Sequence, residues 1–304
     1  MATNTRSGGL GFFDRLKTGW TLTKDSVGVI RDHPKLMIFP LLAAISSIFF
    51  LVLFFLPMVL AEFIGGGLEY VVLFVLYFVT TFFSTYFSAA LVYASNEAFH
   101  GREPGIRSSM SAINDQLGPI VVWALISATV SILFRILENS DSPVAAIMRS
   151  LFALGWSIMT FFIVPVIVFE DVSTTEMFKK SGGTFKDTWG ETLGAGFGIT
   201  GIVLLFGVGF IVVALALSAV VATALPGVGI VLAIVFVAVA ITFSYLLSQT
   251  IWGIAKTALY VYAQEGVKPE QFDNFDFETL GGRTEQKAST GSSRGPTSGT
   301  FVDD

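Results

Sequence analysis

Residues 228–249 read VGIVLAIVFVAVAITFSYLLSQ, and this stretch decides the fold class of the chain. It contains no charged residue, and it is long enough to cross a bilayer as one helix, which takes about 20 apolar residues. A helix satisfies all of its backbone polar groups internally, as a segment surrounded by lipid must. The stretch therefore indicates an all-α integral membrane protein.

Five further apolar stretches of similar length precede it. Together they predict a polytopic bundle of about six transmembrane helices, with spans at residues 36–60, 68–93, 117–136, 146–169, 195–223 and 228–249. Prolines lie within or near the ends of these spans and predict kinks, at Pro40, Pro57, Pro119 and Pro165. The membrane domain would cover residues 11–265, between a disordered N-terminus at 1–10 and an acidic, mostly disordered cytoplasmic tail at 266–304.

The composition excludes several classes of function. The 304 residues are 53% hydrophobic and only 13% charged, which is too little charge to cover a soluble globule of this size. The chain has no cysteine, and His33 and His100 lie far apart, so we expect no metal site and no cofactor. A net charge of −5 offers no broad basic surface, so we expect no nucleic-acid partner. No hydrolase motif or P-loop is present, and we expect no enzymatic activity.

Lys and Arg residues are strongly biased to one side of the predicted spans. All of them except Arg135 and Arg149 fall in the N-terminal segment, the second and fourth connections or the C-terminal segment. Cytoplasmic loops of membrane proteins carry such an excess of positive charge. The bias predicts a plasma-membrane protein with both termini in the cytoplasm.

Three polar segments beside the spans predict amphipathic helices that lie on the cytoplasmic face, at residues 12–30, 105–116 and 174–189. In the predicted helix at 12–30, Asp25 lies on the polar face, opposite the apolar face that carries Trp20. A capping box of Ser173 and Glu176 marks the start of the last. Each amphipathic helix precedes a helical hairpin, which suggests three internal repeats, although any amphipathic cytoplasmic helix shows a similar cadence.

The first part of the tail carries three aromatic residues, Phe272, Phe275 and Phe277, among acidic ones. They predict either a segment that docks on the cytoplasmic face or a linker. The Ser, Thr and Gly-rich residues from Lys287 to Thr300 predict disorder.

Two groups of residues resemble a known family. The first is VPVIVFED at 164–171 with FKKS at 178–181 and KDTWGE at 186–191, and the second is RLKTGW at 15–20 with DHP at 32–34 and FPLL at 39–42. Together they resemble a prokaryotic family of multi-pass membrane proteins that is one of the domain-of-unknown-function families. The resemblance covers about residues 10–280 and implies a fold type and a membrane location, but no activity.

Few polar residues within or beside the spans are candidates for a site. Glu170 and Asp171 lie where the fourth span ends; they could bind a cation or a basic partner, or they could favour the start of the next helix. Arg135 is either a ligand-binding cation or an anchor at the membrane interface. Trp20 and Trp189 are predicted interfacial anchors.

Small residues form two stripes along predicted spans. Thr80, Ser84 and Ser88 follow each other by one helical turn, and could pack the second span closely or line a polar path, with Ser244, Ser248 and Gln249 as partners. A second stripe enters the fifth span and would serve packing within the chain or a homodimer, at Gly190, Gly194 and Gly198.

Two functions are consistent with this sequence. The spans are nearly free of charge and the amphipathic helices are prominent, which favours a non-enzymatic protein that acts by interaction with membrane lipids or a membrane protein partner. The hydroxyl stripe and the repeats favour the alternative, a transporter or permease for a small apolar or amphiphilic molecule.

Overall fold

A computed structural model describes residues 12–60, 68–138, 142–189, 197–224 and 229–277. This part of the chain is helical and contains no strand, which confirms the all-α prediction. The helices are α1 (Phe12–Asp32), α2 (Ile38–Phe50), α3 (Leu56–Leu60), α4 (Glu69–Phe99), α5 (Ile106–Asn114), α6 (Leu117–Glu138), α7 (Pro143–Thr160), α8 (Ile163–Phe169), α9 (Thr174–Thr184), α10 (Phe197–Ala224) and α11 (Gly229–Glu265). The predicted disordered ends, 1–10 and most of 266–304, lie outside the described residues.

Five described helical segments are long and apolar enough to cross a membrane, at Pro34–Met58, Glu69–Phe99, Leu117–Glu138, Pro143–Phe169 and Gly229–Glu265. The predicted span at 195–223 corresponds to α10, which has 28 residues and contains the shorter apolar stretch Gly207–Val221. Large apolar side chains on these helices are exposed; on α7, Leu151 and Leu154 are 61% and 60% exposed. A bilayer is the solvent in which such a surface is stable, so the chain is a membrane protein.

Two of the predicted prolines change the helices around them. Pro57 has no N–H to donate to the carbonyl four residues earlier, and a π-helical turn at Leu51–Phe55 precedes it. Pro165 lies just after a break between α7 and α8. At the break, the Phe162 backbone N–H donates to Ser181 Oγ of α9 at 3.0 Å, so a neighbouring helix satisfies the freed donor.

Each of the three amphipathic helices packs against helices of a different apolar hairpin. α5 packs on α4 and α9 packs on α7 and α8, which precede them in the chain, whereas α1 packs on the last hairpin, α10 and α11. The long helix α4 contacts α2, α6, α8 and α11. The element order therefore has the three helix-plus-hairpin units that the sequence suggested.

The buried core lies at one end of the bundle, which we call the packed end. It is formed by α1, α8, α9 and the C-terminal parts of α4 and α11. The predicted last span ended at Gln249, but α11 continues to Glu265 because residues such as Ile254, Ala258 and Leu259 are fully buried in this core. A composition rule for membrane spans does not detect such an extension, since it is held by protein contacts.

The predicted orientation of α1 is wrong in part. Asp25, expected on the polar arc, is 4% exposed and faces the protein. Leu22, Ser26 and Val29 are buried beside it. The exposed face instead carries side chains three or four positions apart along one stripe: Lys17, Trp20, Lys24, Val27 and Arg31.

The first part of the tail is docked at the packed end. Gly266, with φ +70°, takes the left-handed conformation that ends α11 and turns the chain back. Phe272, Phe275 and Phe277 are then buried, with at most 2% exposure. Of the two interpretations of this segment, the structure shows the docked one.

Candidate functional site

A groove of about 790 Å³ lies between α1, α10 and α11. Its walls are mostly apolar side chains of the two long helices, and its α1 side is more polar. The lining residues are Trp20, Thr23, Lys24, Val27, Gly207, Gly209, Phe210, Val213, Phe243, Ser244, Leu247, Ser248 and Ile251. The volume is in the range of sites that bind small molecules, roughly 300–1,000 Å³.

Two glycines on α10, Gly207 and Gly209, leave open space in the groove. An added Cβ at Gly207 or at Gly209 would meet no heavy atom within 4 Å. Larger side chains at these positions would therefore project into open space rather than clash. The groove thus has room beside Phe210 and Val213 for apolar chains of a ligand.

The groove contains two hydroxyl groups that lack partners. The Thr23 and Ser244 side-chain oxygens are buried and accept or donate no hydrogen bond within the described part of the chain. Thr23 is 6% exposed as a residue. A buried hydroxyl without a partner costs about 1–3 kcal/mol, which a ligand with polar atoms at this depth would relieve.

The exposed stripe of α1 borders the groove. Trp20 is 46% exposed and lines the groove together with Lys24, one turn further along the helix. Trp20 lies on an exposed helix face next to apolar spans, and its role as an interfacial anchor stays a prediction. Lys17, Lys24 and Arg31 form no ion pair with any described residue.

The opposite face of α1 is held by the docked tail. Asp25 Oδ2 accepts hydrogen bonds from the backbone N–H groups of Asn274 at 3.0 Å and Phe275 at 2.9 Å. Asp25 Oδ1 accepts a third from Asn274 Nδ2 at 2.6 Å. A carboxylate with three donors is a strongly held buried charge, so the tail fixes the position of the helix that forms one wall of the groove.

The Glu170 and Asp171 pair lies away from this groove. Glu170 Oε1 accepts a hydrogen bond from the Tyr260 hydroxyl at 2.8 Å and lies 3.2 Å from Lys180 Nζ. These contacts tie the end of α8 to α11 and α9. Asp171 is exposed. Glu170 is thus engaged by neighbouring helices, and the binding of a cation or a basic partner by this pair stays a prediction.

The capping box at the start of α9 is confirmed. The Ser173 hydroxyl donates to Glu176 Oε2 at 2.7 Å, and the Ser173 backbone N–H donates to the same oxygen at 3.1 Å. These hydrogen bonds lower the pKa of the Glu176 carboxyl below its usual range.

The remaining predicted residues are dispersed. Arg135 pairs with Glu138 at 3.3 Å near the end of α6. Thr80 donates to the Leu76 carbonyl of its own helix at 2.7 Å, and Ser84 is exposed while Ser88 is half-buried. Trp189 ends the π-helical turn after α9, but its side chain is outside the description.

The glycine stripe falls largely outside the description. Gly190 and Gly194 lie between the described ranges, and Gly198 is in the first turn of α10. The proposed partners of the hydroxyl stripe have other neighbours: Ser244 and Ser248 line the groove, and Gln249 Nε2 donates to the Tyr245 hydroxyl at 3.0 Å.

Sequence reasoning singled out Trp20 and Ser244 separately and missed the groove that joins them. The two residues come from opposite ends of the chain, and no local pattern indicates that α1 packs on the last hairpin. The available signal was the pair of glycines, Gly207 and Gly209, within an otherwise bulky apolar span.

A family model matches residues 67–269 of the chain, and its description is a family of unknown function, DUF6159. The match covers α4 to α11 and includes the string from Val164 to Glu191, and it begins after the opening motif at Arg15–Trp20. No curated protein and no solved structure matches the chain.

Proposed function

The chain belongs to this family, DUF6159, and we propose that it is a non-enzymatic membrane protein that binds an amphiphilic lipid in the groove between α1, α10 and α11. The observation that carries the proposal is the lining of the groove. Apolar walls on α10 and α11 meet a polar edge on α1, where the Thr23 hydroxyl is buried without a described partner. An amphiphile has an apolar part that matches the α10 and α11 walls and a polar part that matches the α1 edge.

The position of the groove along the helices also supports a lipid. On α11 the residues before Gln249 include many exposed apolar side chains, such as Ile234 and Val239, whereas those after it are mostly buried in the packed end. The groove runs from Phe243 to Ile251 and so lies where the exposed apolar surface meets the packed end. We place the boundary between acyl chains and headgroups at this level, because exposed apolar side chains are stable among acyl chains.

The lining offers little for catalysis. Among the described residues that form it, Lys24 is the ionisable one, and no carboxylate or histidine contributes. General acid–base chemistry at neutral pH uses such groups. The lining therefore supports binding rather than turnover.

The test is to fill the groove. Gly209→Phe places a ring in the open space beside Phe210, and Gly155→Phe is the matched control, since Gly155 on exposed α7 also has no heavy atom within 4 Å of an added Cβ. After delipidation and return of total membrane lipid, native mass spectrometry should show a retained lipid on the parent protein and on Gly155→Phe, but not on Gly209→Phe. Equal retention by all three proteins would refute the proposal.

We also propose a plasma-membrane location in a prokaryotic cell, with both termini in the cytoplasm. The bias of Lys and Arg toward one side supports this orientation. Reporter fusions at Gly65, Asn139 and Gly227 should report the outside, and fusions at Arg107, Gly183 and the C-terminus should report the inside. One fusion on the opposite side from its prediction would refute the arrangement of six spans.

A second candidate function is transport of an amphiphile. Ser244 and Ser248 lie one turn apart on α11 and both line the groove, so a polar track runs along its wall. Proteoliposomes with a fluorescent phospholipid distinguish the two functions. Faster exchange between leaflets that is lost in Gly209→Phe would favour transport, whereas binding without faster exchange would favour a lipid-holding role.

A further inference from the structure

Neither α10 nor the part of α11 that lines the groove offers a counter-charge to the three cations on the exposed stripe of α1. α10 and the part of α11 from Gly229 to Ile251 contain no charged residue. On α1 itself, Asp25 points to the opposite face and is occupied by the tail, and Asp32 lies at the end of the helix. Asp14 lies three residues before Lys17, with a side chain outside the described part, and the docked tail adds Asp273 and Asp276, neither of which forms a described ion pair with the stripe.

Four cations elsewhere pair with carboxylates, namely Lys35, Arg102, Arg135 and Lys180, whereas other described cations, such as Lys179 on α9, do not. What distinguishes the α1 cations is their alignment on one helix face beside an apolar groove.

Lys24 connects this cationic stripe to the groove. It belongs to both, and its neighbour Thr23 provides the buried hydroxyl on the same side. A headgroup placed at Lys24 would have Lys17 and Arg31 two turns away in either direction along the stripe. The acyl chains of this lipid would lie against the apolar walls of the groove, formed by Phe210 and Val213 of α10 and Phe243 of α11.

We infer that the ligand of this groove is an anionic phospholipid, whose phosphate contacts Lys24 and the Thr23 hydroxyl. The inference rests on the proposed lipid-binding function and adds the headgroup class. A zwitterionic headgroup carries its own ammonium group and leaves the three cations uncompensated. An anionic headgroup supplies the missing charge, and each Lys or Arg close to it strengthens binding roughly fivefold.

The experiment is a titration of the delipidated full chain in detergent with phosphatidylglycerol and with phosphatidylcholine of the same acyl chains, read by native mass spectrometry. We expect phosphatidylglycerol to bind at least fivefold more tightly. Lys24→Gln should weaken phosphatidylglycerol roughly fivefold and phosphatidylcholine less, since the choline ammonium group offsets the charge of its phosphate, and Lys24→Arg should restore the preference. The preference should shrink as salt is raised, because the charges are near solvent.

The matched control is Lys179→Gln. Lys179 is an exposed lysine on α9 that lines a different groove, with Phe178 and Met159. An equal loss in this variant would show that surface charge in general, and not the α1 stripe, sets the preference, and would overturn the inference. Equal affinity of the parent protein for the two lipids would also overturn it.

Gly209→Phe separates this inference from the proposed function. If it abolishes binding of both lipids while the parent protein does not discriminate between them, the groove binds lipid and only the headgroup assignment fails. If Gly209→Phe leaves the binding of both lipids unchanged, the proposed function and the headgroup assignment both fail. Thermal unfolding of each variant, followed by its tryptophan fluorescence, verifies that the protein remains folded.

Discussion

Removal of the Asp25 carboxylate should release the tail from the packed end. In Asp25→Ala the two backbone N–H groups and the Asn274 amide lose their shared acceptor. Hydrogen bonds to a charged group contribute about 1.5–3 kcal/mol each, and the loss is limited because the released donors can reach water. We expect docking of the tail to weaken by about 3 kcal/mol, which is a factor of roughly one hundred in its equilibrium. Burial of the Phe272 and Phe277 side chains still favours the docked tail in this variant and opposes its release.

Hydrogen–deuterium exchange of the peptide that covers residues 266–277 measures this effect in lipid nanodiscs. Amide exchange at Asn274 and Phe275 should accelerate by about the same hundredfold factor in Asp25→Ala. Asp32→Asn is the matched control, since Asp32 is an exposed acid on the same helix. Unchanged exchange in Asp25→Ala, or an equal acceleration in Asp32→Asn, would refute the reasoning that this carboxylate holds the tail.

Three other predictions concern packing and pH. Gly253→Ala places a methyl group against the buried side chain of Leu91; it should destabilise the fold by about 1–3 kcal/mol, seen as a lower Tm, whereas Gly155→Ala should not. Ser181→Ala leaves the Phe162 N–H without its acceptor and should cost about 1–3 kcal/mol in denaturant unfolding; no loss would mean that water replaces the hydroxyl. The lowered pKa of Glu176 means that its capping contribution is complete above the ordinary Glu pKa and is lost as pH falls through the lowered value; exchange at the first turn of α9 should rise in that acidic range, and Glu176→Gln should remove this pH dependence.

Local patterns predicted much of the fold. The apolar runs predicted the five described segments that are long and apolar enough to cross a membrane, Ser173 and Glu176 predicted the start of α9, and Pro165 predicted a kink where the chain breaks before α8. Each of these features depends on residues close in sequence, and each has a physical cause that acts within a few turns of helix. The element order of amphipathic helix and hairpin followed from the same patterns.

The orientation of α1 could not be predicted in this way. An amphipathic period is the same whether the helix lies on lipid or on a protein core, so the arc alone does not identify its partner. The partner of Asp25 is Asn274, which lies 249 positions away in a segment of the tail. The groove could not be predicted for the same reason, because Thr23 and Ser244 line one groove only when the first helix packs on the last hairpin.

The most direct test of the central claim is photo-crosslinking with an anionic phospholipid that carries a diazirine in its acyl chain. The account predicts that crosslinked peptides contain Val27 of α1 or Phe243 of α11, and that Gly209→Phe removes them. The lipid-exposed residues Leu151 and Leu154 of α7 serve as the reference surface. Crosslinks that are as frequent at α7 as in the groove, and that Gly209→Phe leaves unchanged, would contradict the account.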